Sequence, residues 1–94
     1  MIAVSHDPAR RTFTARIDGQ DAYLRYLPAG DGVLDYASTF VPEILRGRGI
    51  ASALVRQALD HARAEGCRII PSCWFVRDFV VKHPEYADLT VEGR

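Results

Sequence analysis

Hydrophobic and polar positions alternate through the first 40 residues of the chain and follow a helical spacing after residue 47. The alternating part is rich in β-branched and aromatic residues and is divided by turn signals. The strongest turn signal is Asp18-Gly19, because both residues tolerate the positive φ angles of a tight hairpin. Short connections of this kind favour antiparallel neighbours. We therefore predict four consecutive antiparallel strands, over residues 2–6, 12–17, 22–27 and 33–40.

The helical part begins near residue 47 and continues to Gly66, a residue suited to the left-handed position that follows a helix. Its apolar residues recur every three or four positions and so form one helical stripe. They are Ile50, Ala51, Leu54, Val55, Ala58, Leu59 and Ala62. We predict a helix over residues 48–65 and a strand over 67–70. Because a helix connects them, this strand should lie parallel to strand 33–40. A last short helix over residues 75–82 should end before Pro84.

Length and composition limit the kind of protein. The 94 residues, 48% of them hydrophobic, fit one domain over residues 1–94. Twelve basic and twelve acidic residues cancel, so no sequence-wide field favours nucleic acid or an anionic membrane. No apolar stretch approaches the roughly 20 residues of a membrane span. We expect a soluble cytoplasmic protein with neither nucleic acid nor a membrane as its partner.

The cysteines and histidines predict neither a disulfide nor a metal site. Cys67 and Cys73 are six positions apart, which is about 20 Å in an extended segment and beyond disulfide reach. His6, His61 and His83 are scattered, without metal-ligand spacing. We expect reduced thiols, and we expect His6 and His61 to be solvated.

The turn Arg46-Gly47-Arg48-Gly49-Ile50-Ala51 stands between a strand and a helix. The first turn of a helix leaves backbone N–H groups without intrahelical partners, and these groups bind phosphate well. Small residues let an anion approach, two arginines can neutralise it, and Ser52 adds a hydroxyl. The alternative is that the glycines only shape a tight turn. A P-loop is excluded because Lys82 is the sole lysine in the chain, and a dinucleotide fingerprint lacks its third glycine at Ser52.

The same residues resemble the GNAT superfamily of N-acetyltransferases, whose signature Q/R-x-x-G-x-G/A is matched by Arg46, Gly49 and Ala51. The likeness is closer to a minimal single-domain branch of N-acetyltransferase-domain proteins. Two further motifs of that branch follow in order, Pro71-Ser72-Cys73 and His83-Pro84-Glu85-Tyr86. The resemblance implies a GNAT-like acyl-CoA N-acyltransferase fold of the α/β (α+β) class. Its parts would be an antiparallel β-meander, a β-α-β unit and a short C-terminal helix.

The resemblance also implies a cofactor, coenzyme A or acetyl-coenzyme A. Its pyrophosphate would bind the turn and helix start, and its pantetheine arm would lie between two parting strands. The implied binding residues are Phe40, Val41, Arg46, Gly47, Arg48, Gly49, Ile50, Ala51 and Ser52. Ser38 stands where the branch usually has histidine, so a histidine proton-transfer role does not carry over.

Cys73 is the candidate reactive residue, since the branch places it beside the thioester. It precedes a predicted helix, whose start can lower a thiol pKa; the alternative is a small buried hydrophobic residue.

Glu43 is either a general base or an exposed loop acid, and His83 is expected to cap helix carbonyls. Trp74, Phe75, Phe79 and Tyr86 either cover the pantetheine or pack in the core. We expect acetyl transfer from acetyl-coenzyme A to an amine acceptor; the alternative is a coenzyme A-binding module with little or no transferase activity.

Overall fold

A computed structural model describes residues 2–91 of the chain. They form one five-stranded sheet in the order β1-β2-β3-β4-β5. Strands β1 to β4 pair antiparallel with their neighbours, and β5 pairs parallel with β4. The strands are β1 (Ser5–Asp7), β2 (Thr12–Ile17), β3 (Gln20–Pro28), β4 (Val33–Phe40) and β5 (Arg68–Ile70). The predicted meander with a parallel fifth strand is therefore confirmed.

Alternation of side chains gives the sheet one buried face. Phe13, Ala15, Leu24 and Tyr36 are at most 1% exposed, and all point to the same side. The opposite face carries Leu27 and other side chains that remain outside the core cluster. The β2–β3 hairpin closes on Asp18 and Gly19 with φ of 54° and 76°, the positive angles that the sequence predicted.

Helix α1 (Ile50–Ala64) packs its apolar stripe on the buried face of the sheet. Burial of this stripe, rather than intrinsic helix propensity, supplies most of the stability of such a helix. Gly66 has φ 69° at the position after the helix, as predicted. The predicted start at residue 48 is two residues early, because Gly49 has the left-handed conformation with φ 77° and acts as the N-cap.

Helix α2 (Trp74–Lys82) follows β5 and contacts α1, so both helices lie on the same face of the sheet. The guanidinium of Arg56 on α1 lies 5.4 Å from the ring centroid of Phe79 on α2. Two 3₁₀ helices, Glu43–Leu45 and Pro84–Leu89, were not predicted. After the second one, Thr90 forms a parallel bridge with Ile69 at the outer edge of β5.

The predicted first strand is displaced. Residues 2–4 precede β1, and Ile2 and Val4 pack against the core without joining the sheet. Apolar alternation alone does not distinguish a segment that pairs in the sheet from one that only packs against the core. The helices of residues 2–91 do not combine the length and apolar character needed to cross a membrane.

Candidate functional site

The β4 and β5 strands separate after a short stretch of pairing. Asp35 and Ile70 form their last register pair, after which β5 ends while β4 continues to Phe40. A final link joins the two segments, because the backbone N–H of Cys73 donates a 3.0 Å hydrogen bond to the Tyr36 carbonyl. Beyond this link the two segments border a gap.

A bulge in β4 lies at the same place. In the pairing with β3, Arg25 is opposite Ser38 and Tyr26 is opposite Tyr36, which leaves Ala37 as an extra residue of β4. A bulge bends its strand and increases the local twist. It therefore contributes to the separation of β4 from the segment that follows β5.

The turn between β4 and α1 depends on two glycines with positive φ, 84° at Gly47 and 77° at Gly49. A Cβ at either position would meet no atom within 4 Å. The chain therefore needs glycine there for the positive φ and not for space. Gly49 caps α1 without a side-chain hydrogen bond to the helix. The helix start consequently presents its first backbone N–H groups and the positive end of its dipole.

The two arginines of the turn have different surroundings. The Nε of Arg46 donates a 3.0 Å hydrogen bond to the Val41 carbonyl, which fixes the guanidinium against the end of β4. Arg48 Nη1 lies 3.4 Å from Oδ2 of Asp18 in the β2–β3 turn. Both partners of this ion pair are half exposed or more, so the pair contributes little to stability.

A cavity of about 590 Å³ extends from this turn to the gap beside β4. Its lining includes six of the nine predicted cofactor residues, namely Val41, Arg46, Gly47, Gly49, Ala51 and Ser52. Thr39, Cys73, Trp74 and Phe75 complete the wall. The other three predicted residues lie elsewhere: Ile50 is 2% exposed in the core, Arg48 faces Asp18, and the Phe40 ring is tilted against the Tyr23 ring at 5.5 Å between centroids.

Cys73 lies at the end of the cavity away from the turn. It is the N-cap residue of α2 and is 9% exposed, and its Sγ lies 3.5 Å from the Thr39 hydroxyl across the gap. Cys67, by contrast, is half-buried against the core. Both thiols are free. Thr39 had not been predicted as a site residue, since only the fold brings it opposite Cys73.

The four aromatic residues near the end of the chain divide between site and core. Trp74 and Phe75 line the cavity, and Trp74 is 74% exposed. Phe79 and Tyr86 are buried in the core. The Tyr86 hydroxyl donates a 2.7 Å hydrogen bond to Asp60 on α1, so the tyrosine of the His83-Pro84-Glu85-Tyr86 motif holds the second 3₁₀ helix against α1.

The prediction that His6 and His61 are solvated is wrong. The His6 ring stacks on Phe13 at 4.2 Å and lies 4.4 Å from the His61 ring, and its Nε2 shares a hydrogen bond with Tyr26. Burial, followed by the neighbouring His61, lowers the pKa of His6. His83 Nδ1 lies 2.8 Å from the Phe79 carbonyl, which agrees with the predicted capping role.

Two acidic residues and one serine near the site do not line the cavity. Glu43 is exposed in the first 3₁₀ helix and does not line the cavity, and Ser38 is also exposed. Asp35 is half-buried in β4, and its Oδ1 is buried without a hydrogen-bond partner among residues 2–91. Asp35 was not predicted as a site residue; the signal in the sequence is a carboxylate between the apolar strand residues Leu34 and Tyr36.

Comparison with known proteins finds relatives of this chain by sequence. Residues 12–89 match the model of the GCN5-related N-acetyltransferase family. The chain is 41% identical to Protein NATD1 of Bos taurus over 85 residues, covering 88% of this chain and 75% of that protein. It is 39% identical to Protein NATD1 of Homo sapiens over the same shares.

A solved structure has the same fold. The solution structure of a GCN5-like protein from Staphylococcus aureus superposes with a TM-score of 0.75 at 23% identity, over 95% of this chain and 87% of that one. The match to the family model over residues 12–89 and the identity to the NATD1 proteins show the family of this chain. The chain belongs to the GCN5-related N-acetyltransferase family.

Proposed function

We propose that this protein binds acetyl-coenzyme A in the cavity and transfers the acetyl group to an amine. The observation that carries the proposal is the continuity of the cavity, which runs from the Gly47 and Gly49 turn to Cys73 in the gap beside β4. A phosphate-binding helix start at one end and a narrow gap at the other suit a long ligand with an anionic head and a reactive tail.

The turn would hold the pyrophosphate. Backbone N–H groups at the start of α1, those of Ile50 and Ala51 among them, converge with the dipole on an anion. Arg46 would add charge-assisted hydrogen bonds from a guanidinium already oriented by the Val41 carbonyl. Ser52 lines the same wall with its hydroxyl. Arg48 would contribute through its backbone or after release from Asp18.

The pantetheine arm would follow the edge of β4. Phe40 and Val41 would offer backbone groups to its amides, and the Val41 carbonyl can accept a second hydrogen bond beside that of Arg46 because it has two lone pairs. Phe75 and Trp74 supply apolar surface on the opposite wall. The thioester would then lie near Thr39 and Cys73.

Direct transfer requires only positioning and a proton acceptor. The neutral amine nitrogen attacks the thioester carbonyl carbon, the C–N bond forms, and the C–S bond breaks. Coenzyme A leaves as its thiolate and takes up the proton lost by the nitrogen. Backbone N–H groups along the gap would stabilise the developing oxyanion.

Cys73 offers a second route with the same outcome. Its sulfur would attack the thioester carbonyl, forming a new C–S bond while coenzyme A departs with the thiol proton. The amine would then attack the acetyl-cysteine and release the thiol. Exchange between two thioesters changes little in bond energy, so this step needs no further reactant. The position of Cys73 on the cavity wall supports this role.

The alternative is a coenzyme A-binding module with little or no transferase activity. A specific observation favours it: within residues 2–91, the cavity wall contains neither a carboxylate nor an imidazole. A general base would then have to come from the ligand or from solvent.

Two measurements on the same sample test the proposal. Calorimetric titration with coenzyme A reports binding, and intact-mass analysis after incubation with acetyl-coenzyme A and a mixture of amines and peptides reports transfer. Acetylated amine together with binding supports the enzyme. Binding without any acetyl product supports the binding module, and absence of binding refutes both.

A further inference from the structure

The bulge at Ala37 determines which way Thr39 points. In a regular strand, residues an odd number of positions apart have side chains on opposite faces. Tyr36 and Thr39 are three positions apart, yet Tyr36 is fully buried in the core and Thr39 lines the cavity on the same side of the sheet. The extra residue changes the alternation, because Thr39 is opposite Leu24, a buried residue of β3. Without the bulge, the Thr39 hydroxyl would point to the open face of the sheet.

The bulge thereby brings the hydroxyl of Thr39 close to the sulfur of Cys73. The two atoms are 3.5 Å apart, and the thiol donates to the hydroxyl oxygen. The backbone of Cys73 is fixed to the same strand, since its N–H donates a 3.0 Å hydrogen bond to the Tyr36 carbonyl. Cys73 is thus held to β4 at two points, one through its backbone and one through its sulfur.

Two side-chain hydroxyls line the cavity within residues 2–91, and they lie at its two ends. Ser52 belongs to the first turn of α1, beside the glycine turn, whereas Thr39 contacts Cys73. A hydroxyl can accept a hydrogen bond from a thiol, and it can donate one to the same sulfur after the thiol has lost its proton. The Thr39 hydroxyl is therefore suited to both states of the Cys73 sulfur.

We infer that Thr39 is a positioning residue for Cys73: it directs the sulfur into the gap and donates a hydrogen bond to it when it is negatively charged. Its part in catalysis rests on the proposed acetyl-cysteine route. There the charged sulfur attacks the thioester carbonyl carbon, a new C–S bond forms, and the bond to the coenzyme A sulfur breaks. The proton lost by Cys73 passes through solvent to the departing coenzyme A thiolate, and Thr39 keeps its own proton.

Two substitutions at Thr39 separate a hydroxyl role from a packing role. Thr39→Val keeps the shape and removes the hydroxyl, whereas Thr39→Ser keeps the hydroxyl and removes the methyl group. The full chain without coenzyme A is treated with iodoacetamide at neutral pH, and peptide mapping follows the alkylation of Cys73 and Cys67 in the same sample. We expect Thr39→Val to slow the alkylation of Cys73 about threefold, since a smaller thiolate fraction is partly offset by the greater nucleophilicity of each thiolate. Thr39→Ser should restore the wild-type rate, and the alkylation rate of Cys67 should not change.

Controls keep the test decisive. Thr14→Val makes the same change on the open face of the sheet, because its neighbours Phe13 and Ala15 are buried, and it should leave the alkylation of Cys73 unchanged. If Cys67 reacts faster in Thr39→Val, the fold has loosened, and Thr39→Ser is then compared with Thr39→Ala, from which it differs by the hydroxyl alone. Slower alkylation in the alanine variant supports the inference, and equal rates in this pair overturn it. In a folded valine variant, the wild-type rate, or a slow rate that serine does not restore, also overturns it.

Acetyl-coenzyme A separates this inference from the proposed function. Absence of coenzyme A binding in the wild type refutes the proposed function, while the alkylation rates still test Thr39. When coenzyme A binds, the formation of acetyl-Cys73 should be slower in Thr39→Val than in the wild type and should be restored in Thr39→Ser. Absence of acetyl-Cys73 in the wild type, or equal acetylation rates in the wild type and Thr39→Val, overturns the part of Thr39 in the reaction.

Discussion

Arg46 and Val41 are joined by a 3.0 Å hydrogen bond from the guanidinium Nε to the backbone carbonyl. The bond ties the turn before α1 to the end of β4, and the remaining N–H groups of the guanidinium are available to an anion in the cavity. The Arg46 side chain is therefore oriented before a ligand arrives, which reduces the entropy lost on binding.

We predict that Arg46→Ala weakens coenzyme A binding by at least about 1 kcal/mol through lost charge-assisted hydrogen bonds. Isothermal titration calorimetry of both proteins checks this value. Arg10→Ala removes an equal charge at an exposed site on the β1–β2 turn and should not change the affinity. If wild type and Arg46→Ala bind coenzyme A with equal affinity, Arg46 does not contribute to coenzyme A binding.

The glycine turn permits a separate prediction. A side chain at Gly49 would be strained at φ 77°, and it would occupy space in the cavity that Gly49 lines. We expect Gly49→Val to lower the free energy of unfolding by about 1–2 kcal/mol and to weaken coenzyme A binding by at least about 1 kcal/mol.

Gly32→Val is the matched control for this substitution, because Gly32 has φ 68°, meets open space and lies in the β3–β4 loop. It should show the loss of stability without the loss of affinity. If both variants bind coenzyme A like the wild type, the turn is a structural feature only.

The buried hydroxyl of Tyr36 connects the sheet to α1 by donating to the Ala58 carbonyl. Burial raises the pKa of Tyr36 well above its ordinary value, so the hydroxyl keeps the proton that it donates. We predict that Tyr36→Phe lowers the free energy of unfolding by about 0.5–1.5 kcal/mol, measured by urea denaturation. Tyr23→Phe, on the open face of the sheet, should have a smaller effect, and an equal effect would contradict this assignment.

Local sequence signals predicted the parts of the fold that depend on local chemistry. Asp18-Gly19 closes its hairpin with the angles expected of it, and Gly66 ends α1 in the left-handed conformation. The boundaries of β2 and β4 agree with the predicted ones, residues 12–17 and 33–40. The separation of β4 from the chain after β5 followed only from the family resemblance.

Features that depend on tertiary neighbours could not be read from the sequence. His61 belongs to the polar side of α1 by its spacing, yet it packs against His6 because the short β1 strand brings that ring over Phe13. The contact between Thr39 and Cys73 joins residues 34 positions apart. The register partners of Asp35, Leu27 and Ile70, come from two different strands.

The paired histidines predict a pH dependence of stability. Burial, and then His61, lower the pKa of His6 below its ordinary value of 6.5. The unfolded chain therefore binds this proton at a higher pH than the folded chain does. The contribution of neutral His6 to the free energy of unfolding is fully present above pH 6.5. It falls as the pH drops through 6.5 towards the folded-state pKa of His6. Urea unfolding between about pH 7.5 and pH 5.5 should show this loss.

His6→Phe keeps the stacking on Phe13 but removes the titration, so its stability should depend less on pH over that range. His83→Gln removes a histidine at the end of α2 and should retain the wild-type slope. A slope unchanged by His6→Phe would assign the pH dependence to other groups.

The sulfur of Cys73 is the proposed carrier of the acetyl group in the two-step route. If its sulfur carries the acetyl group, incubation with acetyl-coenzyme A alone should produce a mass increase of one acetyl group that peptide mapping assigns to Cys73. Cys73→Ala should then lower transfer to an amine by at least about tenfold, the smallest loss expected when a nucleophile is removed. Coenzyme A affinity should change little, because Cys73 lies at the end of the cavity away from the glycine turn.

Cys67→Ala is the matched control, since it removes the other free thiol at a half-buried position next to the core. It should retain both the adduct and the transfer rate. An adduct on Cys73 combined with full transfer by Cys73→Ala would make the cysteine a bystander near the thioester, and direct attack by the amine would be the mechanism. If Cys73 stays unmodified and Cys73→Ala transfers acetyl at the wild-type rate, the role of Cys73 is packing against Thr39. The 3.5 Å contact between the two side chains is consistent with such a packing role.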